Sequence, residues 1–85
     1  SKTLFRYNRT QTGVRIESCL VKVLKGLAEY TDLRLGVLLE GIVLHAFEGK
    51  SPFSQSTQDV IEQLKSVYGC TLTADDSHRL VEHDK

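Results

Sequence analysis

A short extended segment that runs directly into two helical patterns constrains the fold of this chain more than any other feature. Apolar and polar residues alternate in Val14, Arg15 and Ile16, so Val14 and Ile16 face one side and Arg15 faces the other. This alternation predicts one short β-strand near the start of an 85-residue chain. Because the chain offers no second strand, a second copy is the simplest source of backbone partners. The pattern therefore predicts a homodimer joined by a two-stranded ribbon.

Two amphipathic helical patterns follow the strand. The first is predicted to begin at Glu17 or Ser18 and to stop near Thr31, with Asp32 as a cap for the next helix. The second is apolar around most of its circumference, so we expect it to be the most buried helix, packed against its own chain and against a second copy. Its apolar residues are Leu35, Val37, Leu38, Leu39, Ile42, Val43, Leu44, Ala46 and Phe47.

The C-terminal third of the chain carries signals for two more helices. A third helix is predicted to open at Ser56 or Thr57, where Ser56-x-x-Asp59 resembles a capping box, and to close at Gly69. The run Thr73-x-x-Asp76 repeats a capping signature and predicts a last short helix that bears Leu80 and Val81. This extension either lengthens the hydrophobic core or provides a docking surface, and the sequence leaves both alternatives open.

The net charge of zero conceals an asymmetry between the two ends of the chain. Residues 1–17 contain four basic residues, Lys2, Arg6, Arg9 and Arg15, against Glu17 alone. Residues 51–85 contain three basic residues against six carboxylates. A polyanion would therefore bind at the N-terminal end, while the acidic end would stay away from it. The alternative is an ordinary distribution of surface charge.

Several classes of protein have little support in the sequence. No apolar run has the length of a membrane span, and the first residues lack the apolar core of a signal peptide. Cys19 and Cys70 are too few for a disulfide scaffold, so we expect reduced thiols in a cytoplasmic protein. No nucleophile with a base is evident, so we expect neither an enzyme nor a cofactor. A third hypothesis is a metal- or ligand-dependent regulator that uses Cys70, His78 or His83, although these residues do not form a closed set of metal ligands.

Four consecutive segments together carry a resemblance to a known family. They are Val14-Arg15-Ile16-Glu17, the first-helix stripe that ends in Leu27-Ala28-Glu29, the turn from Tyr30 to Arg34, and the apolar helix from Leu35 to Phe47. Residues 11–49 resemble the ribbon-helix-helix (Arc/MetJ-type) family of DNA-binding repressors. The resemblance implies a mainly α fold in which one N-terminal strand pairs across a homodimer. The chain would then consist of an N-terminal arm (1–10), a ribbon-helix-helix core (11–49) and a C-terminal helical extension (50–85).

The resemblance also implies roles for individual residues. In this family the ribbon enters the major groove of double-stranded DNA, and here its base-reading positions would be Gln11, Gly13 and Arg15, with Arg9 preceding them on the same face. Arginine pairs with guanine and glutamine with adenine, each pair contributing about 1–3 kcal/mol of discrimination. We expect phosphate contacts from the start of the second helix and from the first helix, at Arg34, Leu35, Gly36, Lys22 and Lys25. The dimer core would contain Val14, Ile16, Leu38, Leu39, Ile42, Val43 and Phe47.

Two functions follow, and they belong to different classes. The first is sequence-specific DNA binding as a dimeric transcriptional repressor. The second is a dimerisation or protein-interaction module, similar to an antitoxin, that binds a protein partner through residues 51–85. Gly13 and Asp32 support the second, because Gly13 has no side chain with which to read a base and Asp32 would repel a phosphate.

Overall fold

The computed structural model describes residues 6–82, and its order is three α-helices followed by one turn of 3₁₀ helix. Helix α1 spans Ser18–Thr31, α2 spans Leu35–Phe47 and α3 spans Gln55–Val67, while the 3₁₀ turn η1 spans Ala74–Asp76. The prediction of a mainly α chain is confirmed. Lys2, one of the basic residues at the N-terminal end, and His83, a candidate metal ligand, lie outside the described residues.

Helix α1 starts and ends where its local signals place it. The side chain of Glu17 accepts a hydrogen bond from the Cys19 amide at 2.8 Å and so caps the first turn. Asp32 ends the helix in the left-handed conformation, with φ of 57°, and its amide donates to backbone carbonyls of the last turn. Asp32 therefore closes α1, and the prediction that it caps the second helix is wrong, since Arg34 is the N-cap of α2.

Helix α3 begins one residue earlier than predicted. Ser54 is the N-cap, and its hydroxyl accepts from the Thr57 amide at 3.3 Å, whereas Asp59 accepts from the side chain of Gln55. The chain leaves α2 and α3 through Gly49 and Gly69, both with positive φ, as the glycine signals predicted.

Helix α1 lies at the centre of the single chain and packs against both other helices. The buried cluster consists of Leu27, Ala28 and Leu38, with Leu24, Ile42, Phe53, Ile61 and Leu64 packed around it. Helix α2 buries only Leu38, so the expectation that α2 is the most buried helix is wrong for the single chain. Helix α3 lengthens the core through Ile61 and Leu64, which was one of the two alternatives for the extension.

Helices α1 and α3 run antiparallel at close range. A Cβ added at Gly26 would lie only 2.9 Å from a methyl carbon of Leu64. The same two elements are joined by a disulfide between Cys19, in the first turn of α1, and Cys70, three residues after α3. The expectation of two reduced thiols is therefore wrong. The antiparallel packing is the cause, because it brings the two Cα atoms to 5.5 Å from each other.

Two predicted elements do not form. Residues 6–17 contain no strand, and none occurs in the rest of the described chain, so the predicted β-ribbon, and the ribbon-helix-helix fold with it, is overturned. The physical reason is that Val14–Ile16 finds no second strand among residues 6–82 with which to hydrogen-bond. The last predicted helix is a single 3₁₀ turn, since extended Ser77 and left-handed His78 end it before Leu80.

Candidate nucleic-acid interface

An exposed arm, residues 6–17, precedes α1 and carries the residues predicted to read bases. Every residue of the arm is exposed, and none lies in regular secondary structure. Gln11, Gly13 and Arg15 are therefore open to solvent, and no atom lies within 4 Å of the position that a Gly13 side chain would occupy. The arm contains Arg6, Arg9 and Arg15 against one carboxylate, Glu17, so it is basic.

The guanidinium of Arg9 makes a two-point contact with a carboxylate of α2. Arg9 Nε donates to Glu40 Oε2 at 3.0 Å, and Arg9 Nη2 donates to Glu40 Oε1 at 2.9 Å. This parallel pair of bonds is the arrangement in which arginine binds carboxylates and phosphates most specifically. The hydrogen bonds from Arg9 lower the pKa of Glu40, and those same bonds raise the pKa of Arg9. Both groups are therefore charged at neutral pH.

The second arginine of the predicted reading face has a different partner. Arg15 Nη2 lies 2.6 Å from Glu82 Oε1, in the segment that follows η1. Both side chains of this pair remain largely exposed, as do those of Arg9 and Glu40. The arm is thus attached to the rest of the chain through two ion pairs, one on α2 and one in the C-terminal segment.

The predicted phosphate contacts lie on α1 and at the start of α2. Arg34 caps α2 without any side-chain hydrogen bond to the free amides, whereas α1 and α3 are both capped by a side chain. Gly36 has open space where a side chain would be, and Leu35 is half-buried. Lys22 and Lys25 are exposed on α1. The first turn of α2 therefore leaves amides that an anion can approach.

The residues predicted to form a dimer core divide into two groups in the single chain. Leu38 belongs to the chain's own core, and Leu39 and Ile42 are half-buried. The others are exposed, at 70% for Val14, 42% for Ile16, 44% for Val43 and 81% for Phe47. Together with Val37 and Leu44, the exposed residues Val43 and Phe47 form an apolar surface on α2, which we call the α2 face.

An apolar cleft of about 440 Å³ opens between α1, α3 and the C-terminal segment. Ile16 of the arm lines it together with Leu72 and Leu80, while Lys65 and Asp76 are charged groups at its wall. The side chain of Asp76 is already occupied, because it accepts a hydrogen bond from the Thr73 amide at 2.8 Å in the capping box of η1. The cleft brings the base of the arm and the C-terminal segment together.

The hypothesis of a metal-dependent regulator loses one of its candidate metal ligands. Cys70 is bonded to Cys19, so its thiolate is not free to bind a metal. Within residues 6–82 no three side chains of histidine, cysteine, aspartate or glutamate are grouped so as to hold a metal ion. None of the helices in this part of the chain combines the length and the apolar character needed to cross a membrane.

Two features were not predicted from the sequence. One is the pair of carboxylates that bind the arm, and the other is the disulfide. Glu40 lies 31 positions after Arg9, and Glu82 lies still farther from Arg15, so no short-range pattern connects them. The disulfide had a usable signal, since Cys19 follows the start of α1 closely and Cys70 follows the end of α3. An antiparallel pairing of these helices would have predicted the approach of the two cysteines.

Comparison of the chain with protein-family models, curated proteins and solved structures finds no match.

Proposed function

We propose that the chain binds double-stranded DNA as a homodimeric transcriptional repressor, and that the exposed basic arm makes the contact. The observation that carries the proposal is the arm itself, which has three exposed arginines, exposed Gln11 and only one carboxylate of its own, Glu17. Two of the arginines, Arg9 and Arg15, pair with carboxylates of other elements. Guanidinium groups bind phosphates at any sequence and pair with guanine in the major groove. An exposed segment without regular structure can make these contacts as it is, so the proposal needs no strand.

The first turn of α2 supports a backbone contact beside the arm. Its amides lack a side-chain cap, Gly36 is open to solvent, and Arg34 supplies a positive charge at the helix N-terminus. Helix N-termini attract phosphates through these free amides and through the helix dipole. Lys22 and Lys25 add exposed positive charge on α1.

The α2 face supports a homodimer. A helix that is apolar around most of its circumference is normally buried on most sides, yet α2 buries only Leu38 in the single chain. Four large apolar side chains, Val37, Val43, Leu44 and Phe47, are left exposed on it. A second copy that covers this face would bring two basic arms together, as the two-fold symmetry of dimeric DNA readers requires. Glu40 lies on the same side of α2, so the Arg9–Glu40 pair would lie at this interface. A cytoplasmic location belongs to the same proposal.

The test is a titration of labelled random-sequence duplexes with the purified protein at low and high salt, followed by selection of the bound sequences. We expect one roughly palindromic sequence to be enriched and the affinity to fall steeply with salt. Arg15→Gln should reduce the affinity for that sequence by about ten-fold or more, the equivalent of one base contact. Arg79→Gln is the matched control, because Arg79 is an exposed arginine outside the arm. Equal effects of the two substitutions would contradict a reading role for the arm.

A second candidate function is protein binding through the C-terminal extension. It is favoured by apolar side chains on this part of the chain, since Val67 is 74% exposed and Val81 is 91% exposed. If this is the function, no duplex is bound even at low salt, and Arg15→Gln changes nothing. Substitution of Val67 and Val81 by serine should instead remove binding to the partner.

A further inference from the structure

The two arginines that the arm offers to DNA are already bound by carboxylates of the same chain. Arg9 uses Nε and Nη2 on Glu40, and Arg15 uses Nη2 on Glu82. The two carboxylates belong to different elements, α2 and the segment after η1. The arm is therefore held at two points along its length rather than by one chance contact.

We propose that Glu40 and Glu82 form an intramolecular clamp, which holds the arm against the body of the protein and competes with DNA for Arg9 and Arg15. This inference rests on the proposed function and adds a regulation of the same site. In the clamped state the carboxylates occupy the donors that a phosphate or a guanine would take. Binding of DNA displaces them.

The competition follows from the chemistry of the guanidinium group. A carboxylate and a phosphate present similar pairs of oxygen acceptors, so both bind the same fork of N–H donors. An arginine whose Nε and Nη2 donate to Glu40 cannot donate through that edge to DNA. Each carboxylate also places a negative charge beside the arm, where it repels the phosphates of an approaching duplex.

Both carboxylates are positioned by ordered parts of the chain. Glu40 lies within α2, and Leu38 of the same helix is buried in the core. The segment that leads to Glu82 contacts the body of the protein through Leu72 and Leu80, which line the apolar cleft. Ile16 lines the same cleft and sits next to Arg15, so the base of the arm is brought to this segment.

The clamp is weak enough for DNA to open. In the single chain both pairs are solvent-exposed, with side-chain exposures of 65% and 51% for Arg9 and Glu40, and of 84% and 68% for Arg15 and Glu82. Exposed ion pairs change an equilibrium by roughly 1.4- to 5-fold each. Removal of both should therefore raise DNA affinity by about 2- to 25-fold.

The test compares two double variants that change the net charge equally. Glu40→Gln/Glu82→Gln removes the clamp, while Glu48→Gln/Glu62→Gln removes two exposed carboxylates that do not contact the arm; Glu48 pairs with Lys50. Binding of the full chain to random-sequence duplexes is measured by fluorescence anisotropy at low and high salt. The clamp variant should bind about 2- to 25-fold more tightly than the control variant. Equal affinities of the two variants would overturn the clamp.

A second readout observes the arm without DNA. In the wild type, ¹⁵N relaxation should report restricted nanosecond motion for amides between Arg9 and Arg15, and the Arg9 Nε–H should be protected from exchange. Glu40→Gln/Glu82→Gln should increase the motion of these amides and remove the protection of the Arg9 Nε–H, while the control variant should change neither. If the arm moves equally in all three proteins, no clamp exists. If the arm is restrained but none of the proteins binds DNA at either salt concentration, the proposed function fails, and the clamp's role as a regulator fails with it.

Discussion

Glu40 is the residue whose ionisation reports most directly on the arm. The hydrogen bonds from Arg9 lower its pKa, so the carboxylate form is favoured in the folded chain. A carboxylate with a lowered pKa adds to the free energy of unfolding above the ordinary pKa of glutamate, about 4.3, and loses this contribution as pH falls through its folded value. Arg9 stays charged over this whole range, so the pair is lost only in acid.

We expect Arg9→Gln to raise the pKa of Glu40 back into the ordinary range, because the substitution removes both hydrogen bonds and the positive charge. The pKa can be measured by an NMR titration of the Glu40 carboxyl carbon in the wild type and the variant. Lys50→Gln is the control, since Lys50 pairs with Glu48 and should leave Glu40 unchanged. An identical titration of Glu40 in the wild type and in Arg9→Gln would show that the pair does not form in solution.

Single residues also show which features are readable from the sequence. Gly49 and Gly69 adopt positive φ at the ends of α2 and α3, as glycine after an apolar helical stripe predicts. The sequence predicts Asp32 as a cap of the next helix because aspartate is a common N-cap, but aspartate also tolerates the left-handed conformation that closes α1. The residue type alone does not decide between these two uses.

Local signals predicted the three helices, whereas the missing strand and the ion pairs of the arm depend on non-local pairing. Caps and glycines lie within a turn of the helix ends they determine, so the bounds of α1, α2 and α3 were predicted within a few residues. A strand depends on a partner, and Val14–Ile16 has none within residues 6–82. The ion pairs of the arm with Glu40 and Glu82 depend on tertiary packing, which no short sequence pattern encodes.

The exposed α2 face leads to a prediction about assembly. We expect Leu44→Ser/Phe47→Ser to convert a dimer into a monomer, because these side chains are 65% and 81% exposed in the single chain and are available to a second copy. The mass in solution can be measured by analytical ultracentrifugation over a range of protein concentrations. Val67→Ser/Val81→Ser is the matched control, since it removes exposed apolar side chains from the C-terminal extension instead. A wild-type protein that stays monomeric at every concentration would contradict the prediction.

At the scale of the whole molecule, the disulfide connects the two ends of the three-helix core. Cys19 and Cys70 are 51 positions apart, and the loop that they close contains almost all of α1 together with α2 and α3. A small domain has little apolar area to bury, so such a link contributes a large share of its stability. In the proposed cytoplasmic location thiols are kept reduced, and there the chain must be stable without the bond.

We therefore expect reduction of the disulfide to lower the free energy of unfolding by about 2–4 kcal/mol, because the loop no longer restricts the unfolded chain. Urea denaturation of the oxidised and reduced protein measures this difference, and Cys19→Ser/Cys70→Ser should match the reduced form. Covering the α2 face with a second copy stabilises the folded state by mass action, so the urea midpoint of the reduced protein should rise with protein concentration. Coincident oxidised and reduced curves would show that the bond does not stabilise the fold. A midpoint independent of concentration would show that the reduced chain is stable as a monomer.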